Sequence, residues 1–137
     1  CEMYGVGVVC YSQLMKGLLT GAFCRERAVA LSEKDHRSRD PKFMAPQLEL
    51  NLEVVESIRP LADEAGRPMA QLPLAWVLRR PELTSAIVGV RNPSQIEQTL
   101  GGGDWILTGE ELDVVEGALR VREKKLALLG ETNQGWV

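Results

Sequence analysis

Histidine occurs once in this chain, at His36, inside the charged stretch "EKDHRSRD". One histidine among scattered carboxylates is too small a ligand set for a zinc-type centre, so no metal site is expected. In that setting His36 reads as a solvated loop residue rather than a catalytic base. Cysteine is scarce and odd in number: Cys1, Cys10 and Cys24 show neither C-x-x-C nor a zinc spacing. The reading is reduced, mostly structural thiols in a cytoplasmic protein, with Cys24 in the more polar, more reactive setting. No apolar run approaches the ~18 residues of a membrane-spanning helix. No charged n-region opens the chain, so no signal peptide is expected, and a start at Cys1 rather than methionine suits a trimmed end. Positive charge is not in excess: the net charge of −3 is a poor basis for gripping a nucleic-acid backbone. Neither a G-x-S-x-G elbow nor a P-loop is present.

What is there suits one globular domain. The chain has 137 residues, 45% of them hydrophobic and 26% charged, enough to bury a real core. "YGVGVVCYS" is a valine-rich apolar run without helical period, which predicts a buried strand over residues 5–12. Gly17 and Gly21 break any regular helix after it. The segment from Cys24 to Pro46 mixes charge with two prolines and reads as a long loop, with a helical turn near Arg25 to Leu31. Helical periodicity follows over residues 51–65, with Leu52, Val54, Val55, Ile58, Leu61, Ala62 and Ala65 on one face. Pro60 should disturb it, and Gly66 fits its C′ position. A second helix is predicted over 69–80, with Pro68 at N1. "LTSAIVGV" predicts a second buried strand, over 84–90. A short helix over 93–100 stops at Gly101 to Gly103. A last helix over 109–128 starts on a capping box, Thr108 with Glu111. The polar end "GETNQGWV" reads as a loose tail. Two parallel strands joined by helices make an α/β unit. Two such strands need more covering than this chain supplies.

Two segments could carry chemistry. In "AIVGVRNPSQIEQT", Asn92 can cap a helix, Pro93 fits N1 and Gln95 stands at N3. Free N–H groups at such a helix start attract an anion, and Arg91 adds a planar fork suited to phosphate. Gly89 lets a ligand approach the backbone. Taken alone, the same residues also describe a well-capped helix with a solvated arginine. In "YSQLMKGLLTG", Tyr11 could stack on a planar ring, Ser12 and the glycine turn could meet a pyrophosphate, and Lys16 supplies charge. Taken alone, this too is equally a core tyrosine and a flexible turn. Parallel strands place both turns on one side, where sites of parallel α/β folds sit. "GVG" within the first run precedes the strand and is no dinucleotide fingerprint.

"GVGVVCYSQLMKGLLTG", "RSRDPKF", "AQLPLAWVLRRPELTSAIVGVRNPSQIEQTL" and "DWILTGEELDVVE" together resemble the C-terminal part of aldo-keto reductases, in the bacterial and potassium-channel-β-like branch. The resemblance spans nearly the whole chain. It implies half of a (β/α)8 barrel, since a full one takes ~250 residues. It implies NADP(H) as cofactor. Tyr11 matches the aromatic that stacks on the nicotinamide. Ser12, Leu14, Lys16 and Gly17 match the segment along the pyrophosphate. Gly89, Arg91, Gln95 and Gln98 match the segment at the 2′-phosphate and adenine. Thr99 stands where the family has asparagine, Gln13 where it has proline, and Val88 where proline is common. The family's catalytic aspartate, tyrosine, lysine and histidine come from early strands, and no position here matches them.

The expectation is therefore a truncated aldo-keto reductase-like protein that keeps the nucleotide-phosphate side of the site and has no catalytic residue. An open half-barrel would expose strand edges and apolar faces, which implies a homo-oligomer. The alternatives are an interaction or structural protein with a vestigial cofactor groove, or a fragment of a complete carbonyl reductase.

Overall fold

The structure is a computed structural model and describes residues 1–130. The predicted loose tail, from residue 131 onward, lies outside the described residues. The chain folds as β1 (Val8–Tyr11), α1 (Arg25–Val29), α2 (Gln47–Glu64), α3 (Gln71–Leu78), β2 (Leu83–Ile87), α4 (Pro93–Leu100) and α5 (Gly109–Leu128). Short 3-10 turns connect them at Met15–Thr20, His36–Arg39, Pro41–Phe43 and Gly101–Gly103.

β1 and β2 pair in parallel, with Val9 opposite Ser85, Cys10 opposite Ala86 and Tyr11 opposite Ile87. The strands are shorter than the apolar runs predict, and they are not fully buried. Cys10 and Ala86 are half-buried, whereas Val9, Tyr11 and Ile87 stand 57%, 79% and 60% exposed. The physical reason is that the helices cover only one face of the pair. The register carries one irregularity. Val8 faces Leu83 but Val9 faces Ser85, so Thr84 is an extra residue, a bulge. The extra residue keeps Leu83 and Ala86 together on the helix side. A Cβ on Gly7 would come within 2.4 Å of the Thr84 hydroxyl oxygen, so the bulge and this glycine fit each other.

α2 and α5 make the most extensive helix contact. Val54, Val55, Ile58 and Ala62 of α2 share a core with Leu72 and Ala75 of α3, Val115 of α5, Trp105 and Leu107. α2 begins four residues before the expected Asn51, because its buried face runs on through Gln47, Leu48, Leu50 and Asn51. It also continues through Pro60 to Glu64. It ends as the glycine predicts: Gly66 is left-handed at φ 62°, and the N–H groups of Gly66 and Arg67 close on the carbonyls of Asp63 and Ala62.

α3 is shorter than expected. Pro68 is not its first residue but sits in the preceding turn, its carbonyl accepting from the Gln71 N–H at 2.9 Å. Pro73 falls in the first turn of α3 instead, where a missing N–H leaves no helix bond unmade. α4 and α5 occupy the expected ranges, and the Thr108–Glu111 capping box is formed.

The predicted long loop, 24–46, is largely ordered into turns. Asp35 caps the 36–39 turn through the Arg37 N–H, and Asp40 caps the 41–43 turn through the Lys42 N–H. Phe43 is buried against Leu18, Phe23 and Leu48 in a second small core. One buried polar node ties this segment to both long helices. Asn51 is fully buried; its Nδ2 donates to the Lys42 carbonyl at 2.8 Å, and its Oδ1 accepts from Arg122 Nε at 2.6 Å.

Candidate cofactor site

The strand register builds the site. Tyr11 lies opposite Ile87, so the turn after β1 and the turn after β2 leave the sheet side by side. Adjacent strands are about 4.8 Å apart, which puts Ser12–Gly17 and Val88–Asn92 at the same carboxyl end as neighbouring walls. The Tyr11 ring stands on the open face of the sheet, away from the helices.

The first wall is backbone-strained. Ser12, Met15 and Lys16 have φ of 66°, 48° and 56°, and Gly17 has φ of 94°. Each non-glycine residue held there costs about 1–2 kcal/mol of backbone energy. The gain is a tight reversal in which the N–H groups of Met15 and Gly17 close on Ser12 and Leu14. Leu14 is half-buried beneath the turn. Lys16 is exposed, and its Nζ pairs with Asp40 Oδ2 at 2.7 Å. Burial pushes the Asp40 carboxyl up, but hydrogen bonds from Lys16 and the Lys42 N–H outweigh it and hold it below its ordinary value. Arg37 Nη1 donates to the Lys16 carbonyl at 3.3 Å, while its Nε and Nη2 bind Asp35 at 3.0 and 2.7 Å. The Arg37 side chain and then its own N–H hold the Asp35 carboxyl far below the carboxylate range.

The second wall is a capped helix start. Asn92 Oδ1 accepts from the Gln95 N–H at 3.1 Å and from the Ser94 hydroxyl at 2.8 Å. Gln95 does complete a reciprocal cap, but one residue further out than a capping box requires. Its Oε1 accepts from the Arg91 N–H at 2.7 Å rather than from Asn92. That leaves the Arg91 guanidinium, exposed and without hydrogen bond or ion pair among the described residues. Gly89 has a φ outside the left-handed region, and nothing among the described residues lies within 4 Å of where a Cβ would stand, so none of them requires glycine there. Gln98 is exposed on α4, three residues on from Gln95 and about two turns on from Arg91. The Thr99 hydroxyl folds back onto its own helix, 2.9 Å from the Gln95 carbonyl.

Sequence reasoning gave no role to Arg37 or Asp40, and it read Gln13 only as standing where the family has proline. Gln13 is 9% exposed, and both its amide atoms are buried without a partner. It lines a cavity of about 670 Å³ on the helix side of the sheet, with Cys10, Leu19, Trp76 and Leu83. His36 is exposed, with Nδ1 3.9 Å from Asp35, as its charged setting implies. Among the described residues, no helix is long and apolar enough to cross a membrane.

The aldo/keto reductase family model matches residues 1–120. This chain belongs to the aldo/keto reductase family. It is 30% identical over 126 residues to a probable voltage-gated potassium channel subunit beta of Arabidopsis thaliana, covering 89% of this chain and 38% of that protein. It is 32% identical over 102 residues to the aldo-keto reductase YhdN of Bacillus subtilis, covering 74% of this chain and 30% of that protein. The glycerol dehydrogenase AKR11B4 of Gluconobacter oxydans superposes with a TM-score of 0.80 at 28% identity, over 99% of this chain and 39% of that one. The fold is thus part of the reductase barrel, and the chain spans less than two fifths of the length of these relatives. Family members generally use NAD(P)H.

Proposed function

We propose that this part of the reductase fold carries the nucleotide-phosphate side of an NADP(H) site and does not hold the proton-transfer groups of carbonyl reduction. One observation supports this most: the β1–β2 register brings the strained Ser12–Gly17 turn and the segment of Arg91, whose guanidinium is unpaired among the described residues, to the same end of the strands, where parallel folds bind ligands. Arg91 would take the 2′-phosphate through its planar fork, with Gln95 and Gln98 along the adenosine. Ser12, Leu14, Lys16 and Gly17 would lie along the diphosphate, and Tyr11 against the nicotinamide ring. Thr99 would add no side-chain donor, because its hydroxyl proton is used within α4. When bound, the cofactor supplies a hydride. The residues described here bind and orient it, and none matches the family's proton-donating set.

The test is a titration with NADPH, followed by its fluorescence. We expect saturable binding that Arg91→Ala weakens about tenfold, the loss of a charge-assisted contact of some 1.5 kcal/mol. NADH, without the 2′-phosphate, should not respond to that change. No saturable signal, or an unchanged Arg91→Ala, would sink the phosphate assignment.

A second reading concerns assembly. Val9, Tyr11 and Ile87 present an exposed apolar face, and both strands have an unpaired edge among the described residues. Such edges and faces favour self-association, so we propose a homo-oligomer. Light scattering should give a mass above that of one chain; a stable monomer across concentrations refutes it.

A further inference from the structure

The turn from Ser12 to Gly17 is held in a conformation that its own sequence does not favour. Three non-glycine residues there adopt left-handed angles. Such backbone persists only where the surroundings fix it. The surroundings here come from a segment some twenty residues further on. Arg37 holds the Lys16 carbonyl, and Asp40 holds the Lys16 ammonium, so this one residue is gripped at its backbone and at the tip of its side chain.

The grip is itself anchored. Asp35 binds Arg37 through two nitrogens. The Arg37 guanidinium lies 5.6 Å from the centre of the Phe23 ring, and Phe23 packs edge-on against buried Phe43 with centroids 5.0 Å apart. The second oxygen of Asp40 caps Lys42 at 3.0 Å, and the Lys42 carbonyl is tied to Asn51. No part of this chain of contacts hangs from solvent alone.

We propose that Arg37 and Asp40 are positioning residues, which set the Lys16 turn in its ligand-receiving form before a diphosphate arrives. This rests on the reading of that turn as the diphosphate wall. A carboxylate at 2.7 Å offsets most of the charge of the lysine, so charge alone does not explain the pair. What the pair supplies is order. The rotamer freedom of Lys16 and the strain of the turn are settled during folding and not at binding, which is how preorganisation raises affinity. The opposite role, in which Asp40 masks Lys16 and the ligand must displace it, predicts an effect of opposite sign.

Asp40→Asn separates the two. It removes the charge that holds Lys16 and keeps a side-chain oxygen to cap Lys42. On the full chain, NADPH and adenosine 2′-monophosphate are titrated in parallel by calorimetry. The second ligand carries the 2′-phosphate and adenine but no 5′-phosphate, so it addresses only the Arg91 wall. We expect Asp40→Asn to weaken NADPH about fivefold and to leave the monophosphate within about twofold. In a Lys16→Ala background the same substitution should no longer affect NADPH, a coupling that general loosening of the fold does not produce. Tighter NADPH binding would overturn the brace in favour of masking. Unchanged NADPH binding, or equal loss for both ligands, would overturn it as well. If the unsubstituted chain binds the 2′-monophosphate but gains nothing from the rest of NADPH, the diphosphate wall and its brace fall while the Arg91 wall stands. If it binds neither, the reading of the whole site fails.

Discussion

Asn51→Leu is expected to lower the unfolding free energy by about 3 kcal/mol, although leucine is close to asparagine in size. The loss comes from polar groups left behind. Asn51 is fully buried, between the Lys42 carbonyl and the Arg122 guanidinium. Arg122 is itself only 2% exposed, and burial pushes its basicity down to about 10, against a smaller opposing pull from Glu123. Leucine would deprive a half-buried carbonyl of its donor and a buried cation of one acceptor, and each loss carries a desolvation penalty. The measurement is urea unfolding followed by circular dichroism. The midpoint should fall with little change in slope, since the surface exposed on unfolding is nearly the same. A shift worth less than about 1 kcal/mol would mean that water or a rearranged side chain replaces the amide.

Gly102→Val should cost a similar amount, about 2–3 kcal/mol, for a steric reason. A Cβ on Gly102 would lie 2.7 Å from the Leu74 Cβ and 3.0 Å from the Gln71 carbonyl oxygen, both on α3. The turn cannot simply move away. Arg67 Nη1 holds the Gly101 carbonyl at 2.9 Å, and its guanidinium lies over Trp105, which is buried in the main core. Gly103→Ala is the control within the same turn, because its Cβ would meet nothing within 4 Å. Thermal unfolding should separate the pair by several degrees; equal midpoints would show that the packing against α3 is looser than these distances imply.

These two positions also mark where the sequence stops being legible. "GGG" reads correctly as the end of α4, but nothing local says that its middle glycine is a contact with a helix thirty residues earlier. Gln47 and Asn51 interrupt an apolar pattern, so the first turn of α2 looks like loop, although both residues are buried. The charges of residues 24–46 read as solvation. Two of them, Asp35 and Asp40, are instead caps that order the segment around Phe43. The legible features are those whose physics is local. The Asn92 and Thr108 caps, the Gly66 stop and the apolar runs of β1 and β2 all depend on neighbours within a few residues. The same divide runs through the site. Arg91 and Gly17 stand out in their own motifs. The partner of Lys16 is Asp40, 24 residues away, and no periodicity could have named it.

The bulge at Thr84 sets the phase between the two turns. Were β2 to run from Leu83 without the extra residue, Tyr11 would lie opposite Ala86 and Ile87 would rotate to the helix side. Arg91 would then stand one residue further beyond the level of Tyr11, a slip of about 3.3 Å. In the proposed site one nucleotide would have to reach both walls, its diphosphate at one and its 2′-phosphate at the other, and a slip of that size would misplace one of them. The alignment of two loops, some seventy residues apart in sequence, is thus set by a single threonine at the opposite end of the strand and by the glycine that makes room for it.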